Sequence, residues 1–105
     1  MYDDPVIEIV ESRTFKDWFS SLRDPVARAK VDARIRRLAL GNPGAHRVLA
    51  SGICEMKIDH GPGYRVYYTR RGETLAILLC GGDKKSQQSD IARGAGIAGK
   101  WRSDS

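Results

Sequence analysis

The sequence predicts an α+β fold with two layers, in which helices pack on one face of a largely antiparallel sheet. Three observations predict it. Two amphipathic helical segments follow a single short strand, three strand-like runs with tight turns come next, and one more helical segment comes last. The chain has 105 residues, of which 41% are hydrophobic and 30% are charged, as in ordinary globular proteins. We therefore expect residues 1–105 to form one domain.

The first strand and the first helix are predicted by short local patterns. Residues 6–10 are rich in β-branched side chains, which favour a strand. Thr14, with Asp17 three residues later, resembles a capping box and marks the start of a helix. An apolar stripe at helical spacing then follows: Phe15, Trp18, Phe19 and Leu22. We expect this aromatic stripe to lie in the core.

A second helix is predicted from Asp24, a favourable N-cap residue, and Pro25, which suits the first helical position. Gly41 and the pair Asn42-Pro43 mark its end. Its buried stripe is expected to be Ala27, Val31, Ile35 and Leu38. Its other face carries Arg28, Lys30, Arg34, Arg36 and Arg37. A basic helix face is first of all a solvated surface, and here it is secondarily a candidate contact for a polyanion.

The most informative stretch is a predicted hairpin of two strands, residues 53–58 and 64–68. Successive side chains of a strand point to opposite faces. A five-residue loop over residues 59–63 is therefore needed to bring the apolar sets of both strands onto one face. The register that this loop predicts pairs Ile58 with Tyr64, Met56 with Val66 and Lys57 with Arg65. Two neighbouring cations repel each other, so we expect an anion to lie over Lys57 and Arg65.

The last strand and the last helix are predicted by an apolar run and a weaker stripe. Residues 75–80 are all apolar, which suits a strand that is covered on both faces at the centre of the sheet. Residues 81–83, Gly-Gly-Asp, are expected to end it, and residues 84–92 favour a helix with an apolar stripe. The continuation of this helix should be marginal, because each later glycine costs about 1 kcal/mol relative to alanine: Gly94, Gly96 and Gly99.

Composition and motifs exclude several classes of function. The 18 Lys and Arg residues exceed the 13 Asp and Glu residues, and the net charge of +5 favours a polyanionic partner. Cys54 and Cys80 lie in apolar runs and are expected to be reduced core residues of a cytoplasmic protein. The sequence has no phosphate-binding or dinucleotide motif and no metal-ligand spacing. It has no apolar run near the roughly 20 residues that span a membrane. We therefore expect no cofactor and no metal.

The solvent-facing side of the predicted sheet would carry Lys57 and Arg65, near His60 in the hairpin loop and Lys84 after the last strand. Cleavage of RNA without a metal needs a group that takes the 2′-hydroxyl proton and cations that stabilise the dianionic transition state. Arg65 suits the phosphate, because its planar fork matches two phosphate oxygens. A lysine–arginine pair on a sheet is also a common source of solubility charge, so spacing alone leaves both interpretations open.

Motifs along residues 6–101 resemble the RelE/ParE toxin superfamily, and within it the HigB-like addiction module killer proteins of type II toxin–antitoxin systems. The most specific segments are Gly61-Pro62-Gly63-Tyr64-Arg65-Val66-Tyr67-Tyr68 and Gly81-Gly82-Asp83-Lys84. The others are Phe15 with Trp18, Leu22-Arg23-Asp24, Arg34 with Arg37-Leu38, Gly41-Asn42-Pro43-Gly44, Leu78-Leu79-Cys80, Gln87-Gln88 and Asp90-Ile91. The resemblance implies a RelE-like fold with the order strand, two helices, three antiparallel strands and a helix.

The resemblance also implies a toxin that cleaves mRNA in association with the ribosome and that a cognate antitoxin neutralises. Antitoxins of this branch are usually helix-turn-helix proteins, and operator DNA is bound only through them. By position, Arg65 matches a phosphate-binding arginine, Lys57 a lysine that activates the 2′-hydroxyl, and Lys84 a basic transition-state stabiliser. HigB-like relatives use histidine and aspartate near their sites, which makes His60 and Asp90 further candidates. Candidate RNA-contacting residues are Lys85, Arg47, Tyr67, Arg34 and Arg37.

Two departures from the family pattern keep other functions open. Glu55 stands where RelE-type enzymes carry another lysine, which weakens the local positive field. No tyrosine follows Tyr68, although those enzymes have one that is suggested to take part in catalysis. The alternatives are a ParE-like toxin that inhibits DNA gyrase without cutting RNA, and an inactive protein of this fold that only binds partners.

Overall fold

The computed structural model describes residues 6–101 and shows a five-stranded mixed sheet with three helices. The strands are β1 (Glu8–Glu11), β2 (His46–Val48), β3 (Ile53–Ile58), β4 (Tyr64–Arg71) and β5 (Leu75–Gly82). The helices are α1 (Arg13–Ser21), α2 (Pro25–Ala39) and α3 (Gln87–Lys100). The predicted α+β class is confirmed, and the arrangement is compatible with a RelE-like fold. No helix among residues 6–101 is long and apolar enough to cross a membrane.

The sheet has one strand more than the sequence predicts. Its order is β1-β5-β4-β3-β2, with β1 parallel to β5 and every other neighbouring pair antiparallel. The additional strand is β2, whose three residues are too few to carry a periodic signal. β5 is an interior strand, flanked by β1 and β4, although β4 rather than β5 is the central one.

The start of α1 also differs from the prediction. Ser12, not Thr14, is its N-cap, because the Ser12 hydroxyl accepts a hydrogen bond from the Phe15 amide at 3.0 Å. The same hydroxyl donates to the carbonyl of Leu79 in β5 at 2.8 Å. This long-range bond fixes the cap to the sheet, and a search for local capping patterns cannot reveal it.

The register of the central hairpin is confirmed. Ile58 pairs with Tyr64, Met56 with Val66 and Lys57 with Arg65. The start of α2 is also as predicted, since the Asp24 carboxylate accepts from the Val26 amide at 2.9 Å. The apolar face of the hairpin packs against α1 and α2 and forms a core with them, which includes Phe15, Val31, Leu38, Met56, Val66, Tyr68 and Leu78.

The prediction that all helices pack on one face of the sheet is wrong. A second apolar cluster joins α3 to the opposite face, and it includes Ile77, Leu79, Cys80, Ile91, Ala95 and Ala98. The apolar run of β5 presents large side chains to both faces, so the second face needs a cover of its own. Gly94 lets α3 approach closely, because a Cβ atom at this position would lie 3.4 Å from the Cys80 sulfur. The side of the sheet that carries Arg65 is therefore partly covered, and only 6% of Arg65 is exposed.

The last strand ends within the predicted break at residues 81–83, since β5 runs through Gly82. A β-bulge precedes this end: Tyr67 pairs with Cys80 and Tyr68 with Leu78, so that Leu79 is the extra residue. The two glycines that follow allow close packing on both faces. A Cβ atom at Gly81 would overlap the indole of Trp18 in α1, and one at Gly82 would overlap the carboxylate of Asp90 in α3.

Candidate functional site

A groove with three cations runs across β2, β3 and β4 on the side of the sheet that α3 covers in part. Its volume is about 450 Å³, and it is lined by Ala45, His46, Arg47, Glu55, Lys57 and Arg65. The strand register produces the grouping, since Arg47 pairs with Glu55 and Lys57 with Arg65. We call this the cationic groove. It combines three positive charges with one carboxylate, a balance that suits an anionic ligand.

Glu55 is the point at which β2, β3, β4 and α3 meet. Its Oε1 accepts two hydrogen bonds from Arg47, at 3.0 and 2.8 Å, and its Oε2 accepts one from Gln87 at 2.9 Å. The Nε atom of Arg65 lies 3.7 Å from the same Oε2. Burial alone would raise the pKa of Glu55, but the hydrogen bonds from Arg47 and Gln87 bring this pKa below its usual value. The carboxylate is therefore ionised at neutral pH.

Arg65 is held in a fixed position at the floor of the groove. Its Nη1 donates to the Gly63 carbonyl at 2.8 Å, and its Nε makes no hydrogen bond within residues 6–101. The hydroxyl of Tyr67 is buried nearby and also makes no hydrogen bond among the described residues. Burial and the charge of Glu55 raise the pKa of Tyr67. Both donors are thus buried beside the Glu55 carboxylate, at the floor of the groove.

Lys84 is brought close to Arg65 by the loop glycine between them. A Cβ atom at Gly63 would lie 3.4 Å from Nη1 of Arg65 and 3.8 Å from Cβ of Lys84. Gly63 has a φ of 81°, which favours glycine at this position. Lys57 and Lys85 are both exposed. The structure thus brings Arg65, Lys57 and Lys84 to one region, with Arg47 at its edge.

His60 lies elsewhere. Its Nε2 is 2.8 Å from Oδ2 of Asp24, the N-cap residue of α2. The hydrogen bond from His60, followed by that from the Val26 amide, lowers the pKa of Asp24. His60 therefore joins the hairpin loop to the start of α2, and we leave it out of the proposed site.

Asp90 is a buried residue of the first turn of α3, with 1% of its surface exposed. Its carboxylate accepts hydrogen bonds from the Ser86 hydroxyl and from the Arg93 guanidinium. It packs directly over Gly82, so that it fixes α3 to the end of β5. Asp90 is thus a positioning residue of the fold, and it does not line the cationic groove.

Arg34 and Arg37 support the wall of the groove. Arg34 donates to the carbonyls of Lys57, Pro43 and Ala45 at 2.7, 3.0 and 2.6 Å. Burial and the charge of Arg37 lower the pKa of Arg34. A Cβ atom at Gly44 would lie 3.1 Å from a guanidinium nitrogen of Arg37. Both Nη atoms of Arg34 are bound to the backbone and its Nε is buried, so it is not proposed as an RNA contact.

Two groups of the site were not among the predicted site residues. The sequence marks Glu55 only as a negative charge among expected cations, although its alternation with Lys57 along β3 places both side chains on the same face. Gln87 carries no signal beyond its position near the start of the last helix. Its bond to Glu55 spans 32 residues of sequence.

Two comparisons with known proteins bear on this site. Residues 17–93 match the family model described as phage-derived protein Gp49-like. An uncharacterized protein of Haemophilus influenzae is 48% identical over 85 residues, which cover 81% of this chain and 86% of that protein. The family match spans the hairpin, β5 and the first half of α3. The chain therefore belongs to the Gp49-like family of phage-derived proteins, a family of RelE/HigB-like toxins of addiction modules.

Proposed function

We propose that this protein is a HigB-like toxin that acts as an endoribonuclease and cleaves mRNA in the cationic groove. The observation that carries the proposal is the fixed position of Arg65, a buried arginine between the Gly63 carbonyl and the Glu55 carboxylate. A preorganised guanidinium can bind a phosphate without the entropic cost of ordering its side chain. Lys84 supplies further positive charge beside it, and Lys57 pairs with it across β3 and β4.

The proposed reaction is attack of a ribose 2′-oxygen on the adjacent phosphorus. The bond from phosphorus to the 5′-oxygen breaks, which leaves a 2′,3′-cyclic phosphate and a 5′-hydroxyl. Arg65 would bind two phosphate oxygens, and Lys84 would stabilise the charge that develops on the dianionic transition state. Lys57 is the candidate to receive the 2′-hydroxyl proton, for which its amine must first release its own proton to water, and water returns a proton to the leaving 5′-oxygen.

Glu55 has a different part in the proposal. Its pKa is below the usual value, so it is a weak base. Its hydrogen bonds instead orient Arg47, and its charge faces the guanidinium of Arg65. We assign to Glu55 the role of a positioning residue that holds the arginines of the groove in place.

A toxin of an addiction module acts opposite an antitoxin. We propose that the antitoxin is a helix-turn-helix protein, that operator DNA is bound through it, and that the toxin meets mRNA on the ribosome. Arg47 and Lys85 are exposed and are retained as candidate RNA contacts. The prediction of an RNA contact at Tyr67 is wrong, because the Tyr67 side chain is fully buried in the core beneath α3.

The proposal is tested by controlled expression in a bacterium, followed by mapping of RNA 5′ ends. The wild-type protein should stop growth and create new 5′ ends within mRNA coding regions, whereas Arg65→Ala should do neither. Arg70→Ala is the matched control, because Arg70 lies on the same strand, is exposed, and donates only to the Glu73 carbonyl among the described residues. Growth arrest without new mRNA ends, accompanied by a DNA-damage response, would support the gyrase-inhibiting alternative instead.

A further inference from the structure

We infer that His60 is a positioning residue for Arg65. Its bond to Asp24 anchors the hairpin loop, residues 59–63, and the Gly63 carbonyl of this loop holds the arginine. His60 does not line the cationic groove, so its effect on Arg65 is exerted through the loop. The inference rests on the proposed function for the choice of phosphate as the anion that Arg65 binds.

The hairpin loop has little that fixes it from within. Gly61 and Gly63 both have a positive φ, of 56° and 81°, and glycine has more conformational freedom than any other residue. The backbone hydrogen bonds of the loop, from the His60 amide to Ile58 and from the Gly63 amide to His60, stay inside the hairpin. They close the turn, but they do not fix its position relative to the helices. A contact with another element is therefore needed to hold the loop in one place.

The bond from His60 to Asp24 supplies that contact. Nε2 of His60 lies 2.8 Å from Oδ2 of Asp24, whereas Oδ1 of Asp24 accepts from the Val26 amide at 2.9 Å. The two carboxylate oxygens thus hold the hairpin loop and the first turn of α2 at once. A carboxylate only accepts hydrogen bonds, so Nε2 of His60 is the donor. Within residues 6–101, no other side chain of the loop forms a hydrogen bond outside it.

A continuous chain of hydrogen bonds leads from this anchor to Arg65. The His60 carbonyl accepts from the Gly63 amide at 3.1 Å, and the Gly63 carbonyl accepts from Nη1 of Arg65 at 2.8 Å. This last bond is the one hydrogen bond that the Arg65 guanidinium makes in the described part of the chain. Oε2 of Glu55 lies 3.7 Å from Nε of Arg65, and an ion pair at that distance fixes no direction. The loop therefore sets the orientation of the Arg65 fork.

Loss of this anchor should act on Arg65 more than on the fold as a whole. The side chains of His60 and Asp24 are 26% and 44% exposed, and exposed ion pairs contribute little to global stability. With the bond broken, the loop should also adopt positions in which the Gly63 carbonyl no longer faces Nη1 of Arg65. Arg65 is then in its phosphate-binding orientation for only part of the time, and its apparent affinity for phosphate falls in proportion.

The test compares two amide substitutions of His60. His60→Gln places its amide nitrogen where Nε2 of the histidine lies and so keeps a donor for Asp24, whereas His60→Asn is too short to reach it. Arg65 is observed by NMR through its Nε–H signal, since this group is buried. In His60→Asn the signal should move, and its hydrogen should exchange with water at least about tenfold faster than in the wild type. His60→Gln should restore the wild-type signal.

Titration with inorganic phosphate measures the effect on binding. The dissociation constant should rise about two- to tenfold in His60→Asn, the cost of ordering one side chain on binding, and should stay at the wild-type value in His60→Gln. Neither measurement involves RNA cleavage. The nuclease proposal fails if the wild-type protein cleaves no mRNA, and this inference fails if the Arg65 signal stays unmoved in His60→Asn, so the two failures are distinguishable.

Two further variants separate the anchor from the helix cap. Asp24→Ser keeps a good N-cap residue but is too short to reach His60, so it should move the Arg65 signal as His60→Asn does, and it replaces that variant should the latter not fold. Asp59→Asn is the matched control and should leave the signal unchanged, because Asp59 is the neighbouring exposed residue of the same loop. The inference is overturned if removal of either side of the bond leaves the Arg65 signal at its wild-type position, if His60→Gln behaves like His60→Asn, or if Asp59→Asn has the same effect.

Discussion

At the scale of single residues, the site depends on one buried carboxylate among arginines. Glu55 is 4% exposed and accepts three hydrogen bonds, from side chains of β2 and α3, while Arg65 of β4 faces it. A negative charge in this position weakens the field of the groove, as the sequence suggests. It also neutralises part of the repulsion among the cations, and it fixes the direction in which Arg47 points. The charge of Glu55 weakens phosphate binding, whereas its hydrogen bonds favour that binding by holding the arginines in place. Catalysis requires this fixed geometry.

Glu55→Gln tests the electrostatic role of this carboxylate through stability. The folded-state pKa of Glu55 lies below its ordinary value of 4.5. The ionised group therefore contributes stability that is fully present above about pH 4.5 and is lost as the pH falls through the folded-state pKa. At pH 7 the free energy of unfolding of the variant should be about 2 kcal/mol lower than that of the wild type, because glutamine lacks the negative charge that the arginines contact. Denaturant titrations between pH 7 and strongly acidic pH measure this difference.

The difference between Glu55→Gln and the wild type should shrink on acidification, since the wild-type carboxyl group then becomes neutral too. Glu73→Gln is the control, because Glu73 is exposed in the turn before β5. Its effect should stay within about 0.5 kcal/mol. A Glu55→Gln difference that grows in acid would contradict the assignment of Glu55 as an ionised group held by its hydrogen bonds.

At the scale of secondary-structure elements, α3 decides the shape of the site. It packs on the face of the sheet opposite α1 and α2, and its first turn supplies Gln87 to Glu55. Its far end is held by Arg71, which donates to the carbonyls of Ala98 and Trp101 at 2.8 and 3.4 Å. The three glycines in its second half differ in their surroundings. Gly94 lies against Cys80, whereas a Cβ atom at Gly96 or Gly99 would have no neighbour within 4 Å.

Gly96→Ala should therefore stabilise the protein, by about 0.5–1 kcal/mol, because alanine gains helix propensity at a site with open space. Gly94→Val is the contrasting variant, because Gly94 lies against Cys80 of β5. It should destabilise the protein by about 1–3 kcal/mol, because its branched side chain must enter the space between α3 and β5. Thermal unfolding of both variants checks the pair. Equal effects of the two substitutions would show that α3 does not dock on β5 through Gly94.

The hairpin and the site were predictable from the sequence to different degrees. The pairing of Lys57 with Arg65 follows from local alternation and loop length, and it is confirmed. The face on which α3 packs depends on how residues 83–86 turn after β5, and that turn has no periodic signal. The additional strand β2 and the Ser12 cap were missed for a related reason, since each is determined by contacts distant in sequence.

At the scale of the whole molecule, the residues behind the net charge of +5 have different roles: some stabilise the fold and others line the cationic groove. Arg28 is directed to the carbonyl of Phe19 and lies over the Phe19 ring at 4.6 Å, and Arg34 binds three carbonyls. Much of the basic surface of α2 thus supports the fold. Net charge predicted a polyanionic partner, but it could not separate these arginines from Arg47 and Arg65. That distinction required the hydrogen bonds of the folded chain.

The loop of the central hairpin, the end of β5 and the start of α3 come together at one end of the sheet, beside the cationic groove. The motifs Gly61-Pro62-Gly63 and Gly81-Gly82 lie at this junction. Their lack of side chains allows Arg65, Trp18 and Asp90 to pack where they do.

The central claim is most directly tested with the purified protein and two mRNAs, one of them all-ribose and the other carrying a 2′-deoxynucleotide at the cleaved position. Each mRNA is incubated with the protein in the presence and in the absence of programmed ribosomes. The account predicts cleavage of the all-ribose mRNA to a 2′,3′-cyclic phosphate and a 5′-hydroxyl, with no cleavage at the deoxy position. It also predicts that the rate falls at least about a hundredfold for Arg65→Ala, which is the size of loss expected when one preorganised donor is removed. The rate for Arg70→Ala should be unchanged. Cleavage at the deoxy position, or an unchanged rate for folded Arg65→Ala, would contradict it, as would an intact mRNA under both conditions.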